Sequence, residues 1–232
     1  MDNLSGSHSA HSLFDDHEPQ RSVETQRSGT AEQAQRFLQR VNGAVSDHDR
    51  ASMFSQRAVT IWLTGLSGSG KSTIAYELER HLIAEGHACY VLDGDNIRHG
   101  LGSDLGFTPA DRRENIRRVA HVAQLMNDAG LIVISALISP MHEDRVMARE
   151  IIGHDRFIET YLSASVDECA RRDPKGLYAK ARAGAIPSFT GVSAPYEAPV
   201  EPDLRVDTAN EAAEASVASI YAHLRASFLM PR

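Results

Sequence analysis

A short run of glycine, serine and lysine has the composition and spacing of a phosphate-binding loop. Residues 65–72 read GLSGSGKS and match the pattern GxxxxGK[ST] at every fixed position. Its glycines allow successive backbone N–H groups to point at phosphate oxygens, and the helix expected after it adds partial positive charge. Lys71 would reach the β- and γ-phosphates of ATP, and the Ser72 hydroxyl would bind Mg²⁺. A glycine-rich turn without a ligand is the alternative. The predicted ATP-binding residues are Gly65, Leu66, Ser67, Gly68, Ser69, Gly70, Lys71, Ser72 and Thr73.

Two carboxylates follow the next apolar run along the chain, as Asp93-Gly94-Asp95. The carboxyl ends of strands in a doubly wound sheet face the ligand crevice, so these side chains should lie beside the loop. Asp93 is suited to bind Mg²⁺ partly through water, and Asp95 to orient an acceptor hydroxyl. With Lys71 they form the predicted catalytic set. Asp-Gly is also a favoured turn dipeptide, which is the alternative interpretation.

Arginines indicate what kind of acceptor the site would take. Arg98 and Arg112 flank a loop at 100–109 that follows the carboxylates, and arginine binds phosphate-like groups with a planar fork. An anionic, hydroxyl-bearing acceptor is therefore expected. The basic segment 171–184 has the length and character of a lid that closes over the phosphates. Solvated arginines on a helix face are the plainer explanation for Arg117 and Arg118.

Apolar periodicity predicts the elements that position these residues. Short β-rich runs alternate with helical patterns, which implies parallel strands with helices on both faces. The expected fold is α/β: a P-loop NTPase-type, three-layer, doubly wound domain with a mainly parallel sheet and a basic lid. Strands are predicted at 59–64, 87–93, 131–135, 157–162 and 204–207, and helices at 72–84, 111–128, 141–152 and from about 210.

Composition sets the domain boundaries and excludes some functions. Residues 1–55 carry few large apolar side chains, so we expect a disordered extension before a kinase domain at 56–232 with its lid at about 173–191. The net charge of −7 gives no general reason to expect binding to nucleic acid or to a membrane surface. No signal peptide or apolar run long enough to cross a bilayer is evident, so a cytoplasmic location is expected.

Two common classes of P-loop protein do not fit the sequence. A GTPase would carry an NKxD motif to read guanine, and none is present. A motor-type ATPase would have a carboxylate at the end of its apolar strand, but the run LIVIS at 131–135 is followed by Ala136. A kinase of a small anionic metabolite remains.

Several motifs together resemble the adenylyl-sulfate kinase (APS kinase) family. They follow the order of that family over nearly the whole predicted domain. The motifs are GLSGSGKST at 65–73, LDGDNIRHGL at 92–101, DLGF at 104–107, DRRENIRR at 111–118, ISP at 138–140, RDPKGLYAKARAG at 172–184, FTG at 189–191 and PYE at 195–197. The resemblance implies ATP-dependent phosphorylation of the 3′-hydroxyl of adenosine 5′-phosphosulfate (APS) to give PAPS.

The resemblance also implies roles for individual residues. Phe107 would stack on the acceptor adenine, and Lys175 would be brought in by the lid. The implied APS-binding residues are Asp95, Asn96, Arg98, Phe107, Arg112, Asn115, Ile134, Lys175, Ser188 and Phe189. Ser139 stands where the family has a serine able to carry phosphate, and direct in-line transfer gives it no essential role. The chain departs from the family at Gly102, Met141, His142, Ala185 and Pro187.

The sequence also leads to predictions about partner chains and leaves two alternative functions open. The resemblance implies a homodimer, and any sulfate adenylyltransferase that supplies APS would be a separate chain. One alternative is a kinase of another small anionic metabolite, such as shikimate or gluconate. Another is a catalytically inactive nucleotide-binding scaffold. The intact Lys71, Ser72, Asp93 and Asp95 argue against inactivity.

Overall fold

The structure is a computed structural model that describes residues 41 and 43–230. From Val45 onward the described residues form one compact unit. The prediction of disorder for residues 1–40 lies outside the described part of the chain. Within that part, no helix has the length and apolar character that crossing a membrane requires.

The elements are α1 (Asp47–Phe54), β1 (Val59–Thr64), α2 (Lys71–Ala84), β2 (Cys89–Asp93), α3 (Gly94–Arg98), α4 (Pro109–Asp128), β3 (Ile132–Ala136), α5 (His142–Ile152), a 3₁₀ turn (His154–Arg156), β4 (Phe157–Leu162), α6 (Val166–Arg172), α7 (Leu177–Arg182), β5 (Leu204–Val206) and α8 (Ala213–Ser227).

The five strands form one parallel sheet in the order β2-β3-β1-β4-β5. Leu63 of β1 and Asp93 of β2 are both in register with Ala136 of β3, so these three strands end at the same level. The order places the first strand in the middle of the sheet, with connections running to both sides. The predicted doubly wound α/β fold is confirmed.

Side chains of β1 alternate between the two faces of the sheet and divide the core in two. Val59, Ile61 and Leu63 pack in one cluster with apolar residues of α2 and α8. Trp62 packs in the other cluster with α4 and α5. Both faces of β1 are buried, as the unbroken apolar run VTIWLT predicts. Three layers result, with the ligand-facing edge at the carboxyl ends of the strands.

The boundary predicted at residue 55 is wrong, because α1 belongs to the folded unit. Ser46 and Asp49 form a capping box, with the Ser46 N–H donating to Asp49 at 2.8 Å. Asp47 pairs with Arg156, and the Phe54 ring lies so close to Gly130 that a side chain there would meet it at 2.9 Å. A polar segment of eight residues gives little periodic signal, and its partners are distant in sequence.

Gln56 lies between α1 and β1 and ties the amino ends of two neighbouring strands together. Its side chain is fully buried, donates to the carbonyl oxygens of Ala88 and Gly130 at 2.8 and 2.9 Å, and accepts from the Ala88 N–H at 2.9 Å. Because these groups precede β2 and β3, one amide side chain pairs the Ala88 N–H and the Gly130 carbonyl, and it adds a second donor to the Ala88 carbonyl, which also accepts from the Ile132 N–H at 3.0 Å.

We expect Gln56→Ala to remove the side-chain partner of the Ala88 N–H and of the Gly130 carbonyl and to lower the free energy of unfolding by about 2–4 kcal/mol. The melting temperature should fall by roughly 5–12 °C. Thermal and urea unfolding measure the effect. Gln124→Ala, the same substitution at a partly exposed position on α4, is the control. Equal losses in the two variants would contradict the role of Gln56.

Candidate active site

The loop between β1 and α2 has the backbone that phosphate binding requires. Gly68 and Gly70 adopt φ values of 79° and 94°, in the left-handed region that favours glycine. A side chain at Gly68 would also lie 2.9 Å from the carbonyl oxygen of Cys169, so the loop packs directly against α6. The backbone can therefore curl around an anion only with glycine at these two positions.

Lys71 lies at the centre of this loop. Its ammonium group donates to the carbonyl oxygens of Gly65 and Leu66 at 2.8 and 2.7 Å, and the residue is only 9% exposed. Burial lowers the pKa of Lys71 to about 8, although the nearby Cys169 thiol and the carboxylates of Asp93 and Asp95 partly oppose that shift. A buried cation thus stands where the charge of a nucleotide phosphate would be compensated.

Ser72 and Asp93 form the contact between the loop and the end of β2. The Ser72 hydroxyl donates to one carboxylate oxygen of Asp93 at 2.6 Å. The other oxygen accepts from the N–H groups of Asp95 and Asn96 at 3.0 and 3.4 Å, which caps α3. The carboxylate is therefore fixed in orientation by α3 and aimed at the loop.

The oxygen donors of Ser72 and Asp93 suit Mg²⁺. No group of three or more His, Cys, Asp or Glu side chains that could hold a metal occurs in the described part of the chain. Mg²⁺ in kinases is held by one or two protein oxygens, with phosphates and water completing its shell. Two adjacent hard oxygen ligands beside a phosphate loop fit that requirement.

Asp95 projects from α3 and pairs with Lys175, which lies just before α7. Both side chains are more than half exposed, so water screens the pair and it adds little to stability. The contact nevertheless joins the predicted lid to the predicted acceptor base. A substrate hydroxyl that approaches Asp95 would also approach Lys175.

Arg98 and Phe107 form an exposed stacked pair in the loop at 100–109. The Arg98 guanidinium lies 4.4 Å from the centroid of the Phe107 ring and donates to the Gly106 carbonyl at 2.8 Å. Phe107 is 62% exposed. Its open face is available to stack on a planar ligand.

Arg112 bridges the same loop to the end of the predicted lid. Its guanidinium donates to the carbonyl of Phe107 at 2.9 Å, to the Thr190 hydroxyl at 2.9 Å and to the carbonyl of Ser188 at 2.8 Å. Burial, and then the neighbouring Arg98, lower the pKa of Arg112. Three N–H groups of this arginine are thus engaged with protein acceptors, where the sequence predicted only contact with an anion.

The other predicted acceptor residues differ in how they reach the site. Asn96 donates to the Tyr76 hydroxyl at 2.9 Å on the exposed surface of α3. Asn115 is buried, and its side-chain amide oxygen Oδ1 has no hydrogen-bond partner among the described residues. Phe189 is buried edge-to-face against Tyr178, with ring centroids 4.9 Å apart, so it supports the lid from beneath.

The structure corrects the prediction for Ile134. This residue is fully buried in the middle of β3, two positions before the strand ends, and packs in the core cluster beside α2. It therefore cannot contact a ligand at the carboxyl edge. An apolar residue of a two-sided strand carries no sequence signal for its distance from that edge.

Ser139 is unsuited to the role of a phosphoserine. It has a φ of 38° and is almost fully buried, and its hydroxyl accepts from the Trp62 ring N–H at 3.1 Å. A phosphate group on this oxygen would break that hydrogen bond and place two negative charges in the core.

Two supporting residues were missed from the sequence. The Tyr178 hydroxyl donates to the carbonyl of Ser67 at 2.9 Å and so links α7 to the phosphate loop. Arg145 is buried and donates to Glu159 at 2.6 Å and to the carbonyls of Ser139 and Glu197 at 2.9 and 2.8 Å. Tyr178 lies within a recognised motif, whereas Arg145 occupies a helix position that looks solvent-facing in sequence.

A model of the adenylylsulphate kinase family matches residues 57–207, which include every element of the site. The chain belongs to the adenylylsulphate kinase family. The resemblance predicted from the motifs is thereby confirmed, and the P-loop NTPase fold with it.

Individual members of the adenylylsulphate kinase family match over most of the domain. The adenylyl-sulfate kinase of Staphylococcus epidermidis is 51% identical over 181 residues, which cover 78% of this chain and 91% of that relative. The bifunctional enzyme NodQ of a Rhizobium species is 60% identical over 162 residues, which cover 70% of this chain but 26% of NodQ. The solved structure of Mycobacterium tuberculosis APS kinase CysC in complex with AMPPNP and APS is 48% identical, with a TM-score of 0.70 over 73% of this chain and 98% of that one.

The buried ammonium of Lys71 predicts how the stability of this adenylylsulphate kinase depends on pH. Its pKa is about 8 in the folded state, against 10.5 for an unperturbed lysine, so the unfolded chain binds more protons between these values. The free energy of unfolding of the wild type should therefore rise relative to that of Lys71→Met, by about 2 kcal/mol between pH 8 and 10. Below pH 8 the ammonium is charged and buried, and Lys71→Met should be the more stable protein.

Guanidinium unfolding without nucleotide, at several pH values, measures this difference. Lys180→Met removes an exposed lysine on α7 and is the control, with no expected dependence across this range. If the difference in the free energy of unfolding between the wild type and Lys71→Met stayed constant with pH, the pKa of Lys71 in the folded state would be that of an unperturbed lysine.

Proposed function

We propose that this protein transfers the γ-phosphate of ATP to the 3′-hydroxyl of APS, which gives PAPS and ADP. The observation that carries the proposal is the arrangement around α3. On one side of α3, Ser72 of the phosphate loop donates to Asp93. On the other side, Arg98 stacks on the exposed Phe107, whose carbonyl accepts from Arg112. Such a site suits a phosphate donor on one side and a planar anionic acceptor on the other. Relatives that are adenylyl-sulfate kinases, one of them solved in complex with AMPPNP and APS, support the proposal.

The donor side binds and orients ATP. Backbone N–H groups of the loop and of the first turn of α2 would point at the phosphate oxygens. Lys71 would move from the carbonyls of Gly65 and Leu66 to the β- and γ-phosphates, where negative charge grows during transfer. Ser72 and Asp93 would hold Mg²⁺, which would neutralise negative charge on the phosphates.

The acceptor side orients APS for in-line attack. Phe107 would stack on the adenine, and the N–H groups of Arg98 and Arg112 not used by the protein would meet the phosphosulfate. The APS 3′-oxygen forms a bond to the γ-phosphorus while the bond from that phosphorus to the β–γ bridging oxygen breaks. Asp95 would accept the proton of the 3′-hydroxyl. The acceptor pocket would be completed by Asn96, Asn115, Lys175, Ser188 and Phe189.

The lid role of residues 173–191 is proposed on the same grounds. Lys175 reaches Asp95, Tyr178 reaches the loop, and Ser188 and Thr190 reach Arg112. Closing this segment would exclude water, which competes with the acceptor as a nucleophile. The homodimer, the link to a separate sulfate adenylyltransferase and the cytoplasmic location stay predictions.

An ADP-release assay with different acceptors tests the substrate assignment. APS should support turnover with Mg²⁺ and ATP, whereas shikimate, gluconate and adenosine 5′-phosphate should support little. Gluconate and shikimate lack a purine for Phe107, and adenosine 5′-phosphate lacks the sulfate. Phosphorus NMR of the product should show a new phosphate on the 3′-oxygen of APS. Faster turnover with any of the other acceptors would contradict the proposal.

Asp95→Asn tests the assignment of the acceptor base. The amide keeps the shape of the side chain but loses its basicity, so kcat should fall by ~10²-fold or more while the KM for ATP changes little. Steady-state kinetics with each substrate varied separately measures this. Asp167→Asn, at an exposed position on α6, is the matched control. A near-normal kcat would assign the base to another group.

A further inference from the structure

The segment 100–109, here called the acceptor loop, is held by arginines at several of its backbone carbonyls. Arg98 donates to the carbonyl of Gly106 and Arg112 to that of Phe107, at 2.8 and 2.9 Å. Both belong to the proposed site. A third arginine, Arg118, donates to the carbonyl of Leu101 at 2.9 Å, near the other end of the loop. Each end of the acceptor loop is therefore attached to the domain by a guanidinium group.

Arg118 makes more contacts to this loop than its place on α4 suggests. It lies three residues, less than one turn, beyond Asn115 and binds Asp104 with both terminal nitrogens, at 2.6 and 2.9 Å. Its remaining nitrogen, Nε, donates to Glu114 at 2.8 Å, which fixes the plane of the fork. A bidentate arginine–carboxylate pair that also binds a backbone carbonyl restrains both position and orientation.

The neighbouring Arg117 provides the contrast. It donates to the same carboxylate, Glu114, at 2.7 and 2.9 Å, but has no bond to the acceptor loop among the described contacts. Its side chain is 46% exposed, against 26% for Arg118. Two adjacent arginines of one helix thus share a partner and differ in whether they reach the loop.

The part of the loop held by Arg118 lies directly on a predicted acceptor residue. Gly102 is buried and lies between Leu101 and Asp104 in the chain. A side chain added there would lie 2.5 Å from the side-chain amide oxygen Oδ1 of Asn115. That oxygen is buried and has no hydrogen-bond partner among the described residues. The bonds from Arg118 therefore hold the loop close to Asn115, and the lack of a side chain at Gly102 allows this close approach.

We propose that Arg118, through Asp104 and the Leu101 carbonyl, is a positioning residue that sets the affinity for the acceptor. Holding Gly102 against Asn115 fixes the wall of the acceptor pocket and keeps Phe107, farther along the same loop, in its stacking position. The inference rests on the proposed function, because it assumes that this loop binds APS. Arg118 touches neither substrate nor the transferred phosphate in this mechanism.

Kinetics of Arg118→Ala, Arg118→Lys and Arg117→Ala test the inference. Arg118→Ala should raise the KM for APS on the order of five- to tenfold, with kcat within about twofold and the KM for ATP unchanged. Arg118→Lys keeps the charge without the planar fork and should recover only part of the loss. Arg117→Ala removes the shared contact to Glu114 and should leave all three constants near wild type. The melting temperatures of the variants show that each is folded.

Two further variants separate positioning from general stability. Gly102→Ala should lift the loop from Asn115 and raise the KM for APS without touching Arg118. Asp104→Asn combined with Arg118→Ala should cost no more than Arg118→Ala alone, since both act through one pair. Equal changes for Arg117→Ala and Arg118→Ala, or an Arg118→Ala effect on the KM for ATP as large as that for APS, would overturn the inference.

Phe107→Ala distinguishes this inference from the function on which it rests. If Phe107→Ala raises the KM for APS and Arg118→Ala does not, the loop binds the acceptor and only the positioning role is wrong. If Phe107→Ala leaves the KM for APS unchanged, the assignment of the loop to the acceptor is wrong, and the role of Arg118 falls with it.

Discussion

The hydrogen bond between Ser72 and Asp93 joins the two halves of the site, and it depends on the register of the sheet. Ser72 follows β1 and Asp93 ends β2, yet β3 lies between these strands. The contact forms because Leu63 and Asp93 are both level with Ala136. A slip of two residues would move Asp93 by roughly 6.6 Å along the strand and separate the donor side from the acceptor side. A slip of this size keeps each side chain on its own face, so it is opposed by the close packing of differently shaped side chains in the two clusters.

Several unfavourable features of the fold lie around the site. Lys71 is a buried cation beside neutral carbonyls, Ser139 is a non-glycine residue with positive φ, and Asn115 has a buried oxygen without a partner among the described residues. Each of these costs stability in the free protein. The two apolar clusters on either side of β1 offset those costs. Two of these features, the Lys71 ammonium and the Asn115 oxygen, belong to the predicted site, where ligand groups would satisfy them.

The sequence predicts the five strands and the longer helices well, for identifiable reasons, but not the short helices α1, α3, α6 and α7. The bounds of β1 and β4 agree with the structure because short apolar runs bounded by polar residues define buried strands. The loop residues are identified by glycine spacing, which reflects backbone geometry directly. By contrast, α1 is stabilised by contacts to residues such as Gly130 and Arg156 that lie far away in sequence. Ile134 was assigned from the family resemblance alone, and the structure places it in the core, in the middle of β3.

The arginines show why residue type alone does not define a role. Arg98, Arg112 and Arg118 all suit anion binding by charge and shape, but each donates to a backbone carbonyl of the acceptor loop. A loop without strand or helix partners must satisfy its carbonyls in some other way, and one guanidinium can satisfy several. Such bonds hold the loop in one conformation before the acceptor arrives. Because an unrestrained loop would lose conformational entropy on binding, this order strengthens acceptor binding even where the arginine meets no ligand atom.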